Sequence, residues 1–347
     1  MTCKEVVMPQ KLMNHITSQA LRVNASDIHI HPLRNRYLLR LRVNGTLMPL
    51  LYLSFDVGEK LISFLKFQAA LDISEKRKPQ SGSYEKETKS EKIALRLSTM
   101  PNKDFHESMV IRIFRYKYPI PFLKSCIFPK VAKQILQLCN NQTGLFLFSG
   151  STGSGKSSSM YSLVSSIENK TELQVITIED PVEHYSPGFL QVEINEKANI
   201  TYAPVVRSVL RHDPDILIVG EIRDFETAKI VVRAALTGHL VFSTVHAGDT
   251  YGVLLRLLEF GVSKEELAQC LLGISFQQLS HLYCVYCGSK CHPLCSHLQR
   301  KRTAIYEVIT KKDIQNYFNS SYQQNKPKYT LDAIYQKGVA YGFFSPD

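Results

Sequence analysis

The sequence predicts an α/β protein of two parts, in which a smaller α+β domain precedes a larger domain built on a parallel sheet. From Gly144 onward, short apolar runs alternate with helical patterns, and this alternation is typical of parallel strands covered by helices. A glycine-rich loop follows the first of these runs. Before it, Pro119 and Pro121 form a stiff, extended connection. We therefore place the first domain at 1–116, a linker or hinge at 117–122 and the second domain at 123–347.

The first domain is expected to mix short strands with one or two helices. Tyr37–Val43 alternates apolar and basic residues, as a half-buried strand does, and Asn44–Gly45 then predicts a hairpin turn. The remaining predicted elements are a helix over Val57–Leu71, a polar loop over Pro79–Lys92, and strands over Ile93–Leu97 and Met109–Phe114.

The second domain is expected to hold four strands, a helix directly after the glycine-rich loop and two further helical stretches. The strands are predicted from apolar runs at Gly144–Phe148, Gln174–Ile178, Asp215–Val219 and Leu240–Val245. Apolar spacing predicts a helix over Phe225–Leu236 and a helical pattern over Tyr251–Leu282. From about Gln299 the chain becomes a basic tail rich in Tyr and Gln, for which no element is predicted.

Length, charge and hydropathy exclude some protein classes. The 347 residues are enough for separate cores in two domains. No apolar run approaches the roughly 18 residues that span a bilayer, and Met1–Gln19 lacks the features of a signal peptide. We therefore expect a cytoplasmic protein. The formal net charge of +11 is compatible with nucleic acid, anionic lipid or acidic protein partners and does not choose among them.

One segment carries a phosphate-binding motif. Its residues, which match G-x-x-x-x-G-K-[ST], are Gly150, Ser151, Thr152, Gly153, Ser154, Gly155, Lys156 and Ser157, with Ser158 next in the chain. The glycines allow backbone N–H groups to surround phosphate oxygens, Lys156 is placed to reach the β- and γ-phosphates, and the Ser157 hydroxyl is placed to bind Mg²⁺. The motif therefore predicts binding of ATP with Mg²⁺.

Polar residues follow three of the predicted strands. Glu221 comes just after Asp215–Val219, Glu179 ends the strand before Asp180, and His246 closes Leu240–Val245. In open α/β sheets the carboxyl ends of parallel strands meet at the edge where ligands bind. We expect Glu221 or Glu179 to act on Mg²⁺ or the attacking water, and His246 to sense the γ-phosphate.

Arginines lie on two predicted strands of the first domain. Arg96, Arg112 and Arg115 fit either a solvated sheet face or contacts to phosphate, because a guanidinium pairs with phosphate through two hydrogen bonds. The pattern of residues alone leaves both interpretations open.

The eight cysteines divide into a scattered set and a cluster. The scattered set is Cys3, Cys126, Cys139 and Cys270, of which the last three lie in apolar surroundings and are expected to be reduced core residues. Within a Cys-rich segment at 281–297, the cluster consists of Cys284, Cys287, Cys291 and Cys295. In a chain without an export signal this spacing favours one structural Zn²⁺ over disulfides. His281, His292 and His297 are alternative ligands for one of the four positions.

Taken in order, the motifs resemble those of the secretion and type IV pilus ATPase family, the GspE/PilB/PilT group. The resemblance extends from about residue 20 to 280. His31 stands where the family has Glu, and Ser81 where it has Asp. The matching segments are Ser26–Pro32, Leu71–Gly82, Leu95–Pro101, Glu179–Pro181 in the family's Asp box, Leu210–Asp224 in its Walker B segment, and Thr237–His246 in its His box.

The resemblance implies a PAS-like N-terminal domain joined to a RecA-like P-loop ATPase domain, assembled as a homo-hexamer. It implies that Glu221 is the catalytic carboxylate, that Glu179 is an acidic partner, and that Arg96 and Arg112 contact phosphate. It further implies a motor on the inner face of the cell membrane. Such a motor acts on a polytopic inner-membrane platform protein, and only indirectly on pilins or pseudopilins.

Compact length, basic charge and the tight Cys cluster are similar to the competence branch of this family, whose filaments serve DNA uptake. A DNA-translocating ATPase of the RecA lineage and a regulatory protein with weak ATPase activity are the alternatives. No DNA-binding module is recognisable in the sequence, so we expect no direct DNA binding. Intact Lys156, Ser157 and Glu221 argue against the regulatory alternative. Whether the motor only extends filaments or also retracts them stays open.

Overall fold

The protein is described by a computed structural model. It describes residues 8–88, 92–115, 120–140, 143–168, 172–182, 185–195, 198, 200–289, 291–298, 300–319, 327 and 329–346. The chain divides into two compact units, one made of Met1–Tyr116 and His292–His297 and the other of Lys117–Cys291 and Leu298–Asp347. The first half of the predicted hinge, residues 117–119, lies outside the described residues.

The first unit consists of one antiparallel sheet with two helices on one face. Its elements are α1 Pro9–Arg22, β1 Ala25–Pro32, β2 Arg36–Val43, β3 Thr46–Ser54, α2 Phe55–Gln68, β4 Gln80–Glu87, β5 Lys92–Pro101 and β6 Glu107–Arg115. The strand order is β3-β2-β1-β6-β5-β4. Apolar residues at every second strand position, such as Leu39 and Ile28, pack against Ile16 of α1 and Leu65 of α2. This is the smaller, PAS-like α+β domain.

Two details of the first unit bear on the sequence predictions. Asn44 and Gly45 both adopt positive φ angles, 52° and 89°, as a tight hairpin between β2 and β3 requires. The predicted loop over Pro79–Lys92 is wrong, because Gln80–Glu87 forms the edge strand β4. Every second residue of β4 is exposed, but both faces of the strand carry polar residues, so the sequence shows no alternation of apolar and polar residues. Edge strands commonly have this composition.

The second unit contains the larger sheet and eight helices besides a short 3₁₀ turn at Phe122–Lys124 among its described residues. Its strands are β7 Gly144–Ser149, β8 Val175–Glu179, β9 Phe189–Glu193, β10 Ile216–Val219, β11 Leu240–Thr244, β12 Leu271–His281 and β13 Arg302–Thr310. Its helices are α3 Pro129–Cys139, α4 Lys156–Glu168, α5 Tyr202–Val209, α6 Phe225–Leu236, α7 Thr250–Glu259, α8 Lys264–Cys270, α9 Lys311–Asn319 and α10 Leu331–Ala340.

The larger sheet is covered on both faces. Its strand order is β13-β12-β7-β11-β10-β8-β9, with parallel pairs throughout except for β13, which runs antiparallel to β12. Alternate residues of one strand enter different cores: Phe146 packs with α3, α4 and α10, whereas Leu147 packs with α5 to α9. The covered, mainly parallel sheet with its glycine-rich loop is a RecA-like P-loop domain.

The structure corrects the prediction for the end of this domain. The helical pattern predicted over Tyr251–Leu282 stops at Cys270, and Leu271–His281 is a strand between β7 and β13. A fully buried strand is apolar on both faces, so its periodicity does not separate it from a helix. The tail after Gln299 adds β13, α9 and α10. Among the described residues, no helix combines the length and the apolar composition needed to cross a bilayer.

Candidate nucleotide site

The phosphate-binding motif forms a tight loop between a buried strand and a helix. It follows β7, whose residues are all buried, and leads into α4 at Lys156. Gly150, Gly153 and Gly155 have φ angles of 139°, 78° and 86°, values that side chains other than that of glycine rarely permit. The loop therefore brings backbone N–H groups and the N-terminus of α4 to one point, an arrangement that suits phosphate.

The lysine of the motif is folded back over this loop. Its Nζ donates hydrogen bonds to the carbonyl oxygens of Gly150, at 2.8 Å, and Ser151, at 3.1 Å. These contacts hold the ammonium group beside the place where the motif receives a triphosphate. Ser157 follows in the first turn of α4 and is partly exposed, so its hydroxyl is accessible to Mg²⁺. The residues present thus fit ATP with Mg²⁺.

Three backbone hydrogen bonds and one from a side chain connect four strand ends at the edge that carries the loop. Beyond β11, the N–H of Val245 donates to the carbonyl of Phe148 on β7 at 3.0 Å. The N–H of Ile222 donates to Thr244 at 2.9 Å. The Thr244 hydroxyl donates to the carbonyl of Gly220 at 2.8 Å. The N–H of Gly220 donates to Ile178 at 2.8 Å, which attaches β8. The ends that carry Glu221, His246 and Glu179 therefore lie on the sheet edge that carries the loop.

Glu221 lies in a charged and partly open environment. Its side chain is 16% exposed. One carboxylate oxygen contacts the guanidinium of Arg223, and the other lies 3.7 Å from Nε2 of His246. Burial, together with the positive charges of Lys156 and Arg223, lowers the pKa of His246 below its usual value, so the imidazole is neutral near pH 7. A carboxylate and a neutral imidazole side by side can orient a water molecule and accept its proton.

Glu179 lies at the end of β8 in a different environment. It is 5% exposed, and its Oε1 accepts a hydrogen bond from the hydroxyl of Tyr161 on α4. The Gln191 amide of β9 donates to the same hydroxyl at 2.8 Å. Burial, and then the neighbouring Glu179 charge, raises the pKa of Tyr161, so the phenol keeps its proton. Tyr161 and Gln191 were not identified from the sequence, because their pairing joins residues far apart in the chain.

Arg96 and Arg112 lie in the first unit, as directly opposite residues of β5 and β6. Both are exposed. Nε of Arg112 donates to Oδ1 of the buried Asp27 at 3.0 Å, and Nε of Arg42 lies 3.8 Å from the other oxygen of this carboxylate. The structure thus gives Arg112 a structural partner that the sequence did not suggest. Contact of either arginine with phosphate stays a prediction.

The clustered cysteines come together in space. The sulfur atoms of Cys284, Cys287, Cys291 and Cys295 all lie within 4.8 Å of one another. Four thiolates at about 2.3 Å from one Zn²⁺ are separated by about 3.8 Å, so a small contraction forms a tetrahedral site. The backbone N–H of Tyr286, with that of Cys287, lowers the pKa of Cys284 to about 7 and so favours the thiolate that a metal needs. Among the described residues, this group includes none of the three nearby histidines.

Comparison with known proteins agrees with this geometry. A family model described as "Type II/IV secretion system protein" matches residues 4–341. The competence protein ComGA of Bacillus subtilis (strain 168) is 38% identical over 347 residues, which cover 97% of this chain and 95% of that protein. ComGA of Halalkalibacterium halodurans is 40% identical over 86% of both chains. The type IV pilus assembly ATPase PilB of Thermus thermophilus is 38% identical over 84% of this chain and 33% of its own length.

Solved structures show the same fold. The pilus retraction motor PilT with bound ADP aligns with a TM-score of 0.73 at 24% identity, covering 96% of this chain and 94% of its own. The Legionella pneumophila ATPase DotB aligns with a TM-score of 0.74 at 20% identity, covering 99% of this chain and 96% of its own. The family model, the near full-length relatives and the glycine-rich loop agree, and the chain belongs to the type II/IV secretion system protein family of secretion and pilus ATPases.

Proposed function

We propose that this protein hydrolyses ATP to power assembly of a type IV or competence pilus, or of a type II secretion pseudopilus, and that the filament serves DNA uptake in transformation. The observation that carries the proposal is the joining of four strand ends that bring the phosphate-binding loop, Glu221 and His246 to one sheet edge. The competence role is supported by relatives named ComGA that match nearly the whole chain.

The residues of this edge have separate tasks in hydrolysis. The loop from Gly150 to Ser158 binds the phosphates, with Lys156 neutralising charge on the β- and γ-phosphates and Ser157 holding Mg²⁺. The Mg²⁺ that Ser157 would hold would supply Lewis-acid stabilisation of the charge that develops on the phosphates. Glu221 orients the attacking water and accepts its proton. His246, held close to Glu221, reports the presence of the γ-phosphate.

Hydrolysis is proposed to depend on assembly into a homo-hexamer, with Arg96 and Arg112 contacting phosphate bound by another subunit or domain. An exposed arginine pair on one sheet face supports this, since guanidinium groups stabilise charge on a transferring phosphate. Mixing two inactive variants tests it. If the arginine acts in trans, Arg96→Ala and Lys156→Ala subunits restore activity together. Absence of restoration at every ratio argues for a site completed within one chain.

One structural Zn²⁺ is proposed at the four clustered cysteines. The closeness of their sulfur atoms supports a tetrahedral thiolate site that stiffens the segment after β12. Metal analysis of protein purified without chelator should find one equivalent of zinc. Less than half an equivalent would count against the site, and normal zinc content in a Cys295→Ser variant would point to one of the neighbouring histidines as the fourth ligand.

The force is proposed to pass to a polytopic inner-membrane platform protein, with pilins or pseudopilins acted on indirectly and the ATPase held at the cytoplasmic face of the membrane. The net charge of +11 supports residence near anionic lipid. In cells, Lys156→Ala should abolish surface filaments and DNA uptake without lowering the protein level, and membrane association should require the platform protein. Filaments that still assemble in the Lys156→Ala strain would make the regulatory alternative the better account.

DNA offers a direct test of the remaining alternative. A DNA-translocating ATPase is stimulated by DNA, whereas a pilus motor responds to its membrane partner. We expect the ATPase rate of the purified protein to be unchanged by added DNA at physiological salt and to rise with the platform protein. Stimulation by DNA alone would favour translocation.

A further inference from the structure

A buried pair of side chains on β12 and β13 lies beside the phosphate-binding loop. Gln277 of β12 and Tyr306 of β13 are directly opposite each other in the antiparallel register. Directly opposite residues of an antiparallel pair project to the same face of the sheet. Both residues are only 1% exposed. They belong to none of the sequence motifs, and both contact the loop or the helix that follows it.

Gln277 supports the loop through its side chain. Its Nε2 donates a hydrogen bond to the carbonyl oxygen of Ser154 at 2.6 Å. A carbonyl oxygen only accepts hydrogen bonds, so the amide must present its nitrogen to Ser154. The bond joins the centre of the loop to a strand of the central sheet.

Two glycines of the motif make room for this single residue. A Cβ atom on Gly150 would lie 2.3 Å from the backbone oxygen of Gln277, a distance that no side chain tolerates. A Cβ atom on Gly155 would have the Nε2 of Gln277 as its nearest neighbour, at 3.1 Å. Gln277 therefore lies close to the loop at Gly150 and at Gly155, and it is hydrogen bonded to Ser154 between them.

Tyr306 supports the start of the helix that follows. Its hydroxyl lies 2.9 Å from Oγ of Ser159 and 2.8 Å from Oγ of Ser125. The N–H of Ser159 in turn donates to the carbonyl of Gly155 at 2.9 Å. Burial raises the pKa of Tyr306 to about 12, so the hydroxyl keeps its proton and remains a donor. Tyr306 thus fixes the first turn of α4 relative to the sheet.

We propose that Gln277 and Tyr306 are positioning residues that set the phosphate-binding loop in its binding conformation, a proposal that rests on the ATP site proposed above. Lys156 Nζ donates hydrogen bonds to the carbonyl groups of Gly150 and Ser151, and the same ammonium group is the one that would contact the β- and γ-phosphates. The bond from Gln277 to Ser154 uses no group that phosphate needs. It therefore holds the loop in the same shape whether or not nucleotide is present.

A hydrogen bond that holds the loop in one shape affects nucleotide binding and not the chemical step. Interactions that are equal in the ground state and the transition state change KM and leave kcat unaltered. The loop surrounds phosphates that ATP and ADP share, so loss of the support should weaken both nucleotides by the same factor. An interaction made only in the transition state would instead lower kcat.

The test compares two adjacent glutamines of β12. Gln277→Met keeps the volume of the side chain and removes the donor, whereas Gln278→Met changes an exposed residue on the other face of the strand. Loss of a hydrogen bond to a buried carbonyl predicts a rise of about tenfold in the Kd of MgATP and of MgADP for Gln277→Met. KM should rise by the same factor, kcat should stay within about twofold, and Gln278→Met should match the wild type.

Tyr306→Phe provides a second variant that removes one hydroxyl group and keeps the packing of the ring. The Tyr306 hydroxyl contacts Ser159 in the first turn of α4 and not the loop itself, so we expect a smaller rise in both Kd values, about threefold. This variant also decides the question if Gln277→Met fails to fold. Unchanged nucleotide affinity in Tyr306→Phe would then contradict the proposal.

Each remaining outcome has a defined meaning. Wild-type affinity for both nucleotides in a folded Gln277→Met protein would overturn the proposal, as would a fall in kcat at unchanged Kd. A failure of the wild type and Gln278→Met to bind MgATP would overturn the proposed function itself. A defect confined to Gln277→Met and Tyr306→Phe, equal for ATP and ADP, supports the assignment.

Discussion

Glu221 follows β10 by two residues and Glu179 ends the neighbouring parallel strand β8, yet the two acids lie in opposite kinds of environment. Glu221 is partly exposed and has charged or titratable neighbours in Arg223 and His246. Glu179 is buried and accepts a hydrogen bond from a neutral phenol. A carboxylate that acts on water needs access to it, whereas a buried carboxylate with a fixed donor stabilises the structure around it. Position on the sheet edge therefore does not by itself assign a catalytic role.

The resemblance to secretion ATPases implies that both acids belong to the site, and the structure suggests how the work is divided. Glu221 would act on the water. Glu179, through Tyr161, would fix α4 and thereby the loop that begins this helix. We therefore propose that Glu179 is a positioning residue, and the following experiments compare the two acids.

The largest effect is expected for Glu221→Gln. This change keeps the shape of the side chain and removes the charge that accepts a proton, so turnover should fall by about 10²- to 10³-fold with MgATP affinity unchanged. Steady-state ATPase assays with equilibrium binding measure both. Turnover near the wild-type rate would show that another group activates the water.

A smaller effect is expected for Tyr161→Phe, and it should appear in stability. Removing the hydroxyl leaves the Glu179 carboxylate buried without this donor, which costs about 2 kcal/mol in free energy of unfolding. Urea denaturation measures the change, with Tyr185→Phe, an exposed tyrosine, as the control. Equal stability of the two variants would mean that the Tyr161–Glu179 contact contributes little.

Glu179→Gln should lower the free energy of unfolding by less than Tyr161→Phe does, because the amide oxygen can still accept a hydrogen bond from Tyr161. Replacing a charge-assisted bond by a neutral one predicts a loss of about 1 kcal/mol in free energy of unfolding and a turnover within about tenfold of wild type. The control is Glu193→Gln, the exposed residue opposite Glu179 on β9. A loss of turnover as large as that of Glu221→Gln would mean that Glu179 is a catalytic residue.

The smallest expected effect is a shift in the pH dependence of kcat/KM. The pKa of His246 is lowered by burial first and then by the charges of Lys156 and Arg223. If the neutral imidazole is the active form, kcat/KM falls as pH drops through this lowered pKa, below 6.5. Arg223→Gln removes one cause, so the acid-side midpoint should move up by less than about one pH unit.

The control for the pH profile is Arg233→Gln, which removes an exposed arginine from α6. Its profile should follow that of the wild type. A midpoint that stays in place in Arg223→Gln, or that moves down, would contradict the assignment of the acid limb to His246.

The sequence predicted the geometry of the candidate site where residues adjacent in the chain determine it, and the roles of these residues stay predictions. The residues from Gly150 to Ser157 form their loop through local backbone geometry, so the motif alone identifies them. Glu221 and His246 follow apolar runs, and parallel strands align their carboxyl ends at one edge.

Side-chain pairs between distant elements could not be predicted in the same way. Gln277 reaches Ser154 only because Leu271–His281 is a strand beside β7. In the sequence, the apolar residues of this segment were interpreted as the continuation of a helix. The contact between Tyr161 and Glu179 depends on α4 packing over β8. The strand Gln80–Glu87 was missed because its polar residues carry no apolar period.

Single-turnover hydrolysis of bound ATP tests the division between the two acids most directly, because it measures the chemical step without product release. Wild-type, Glu221→Gln and Glu179→Gln proteins, with enzyme sites in excess of MgATP, would be mixed with the nucleotide and quenched over a time course. We predict that Glu221→Gln retains bound ATP uncleaved, whereas Glu179→Gln cleaves it within about tenfold of the wild-type rate. Cleavage by Glu221→Gln at the wild-type rate, or ATP left uncleaved by a folded Glu179→Gln protein, would contradict the account.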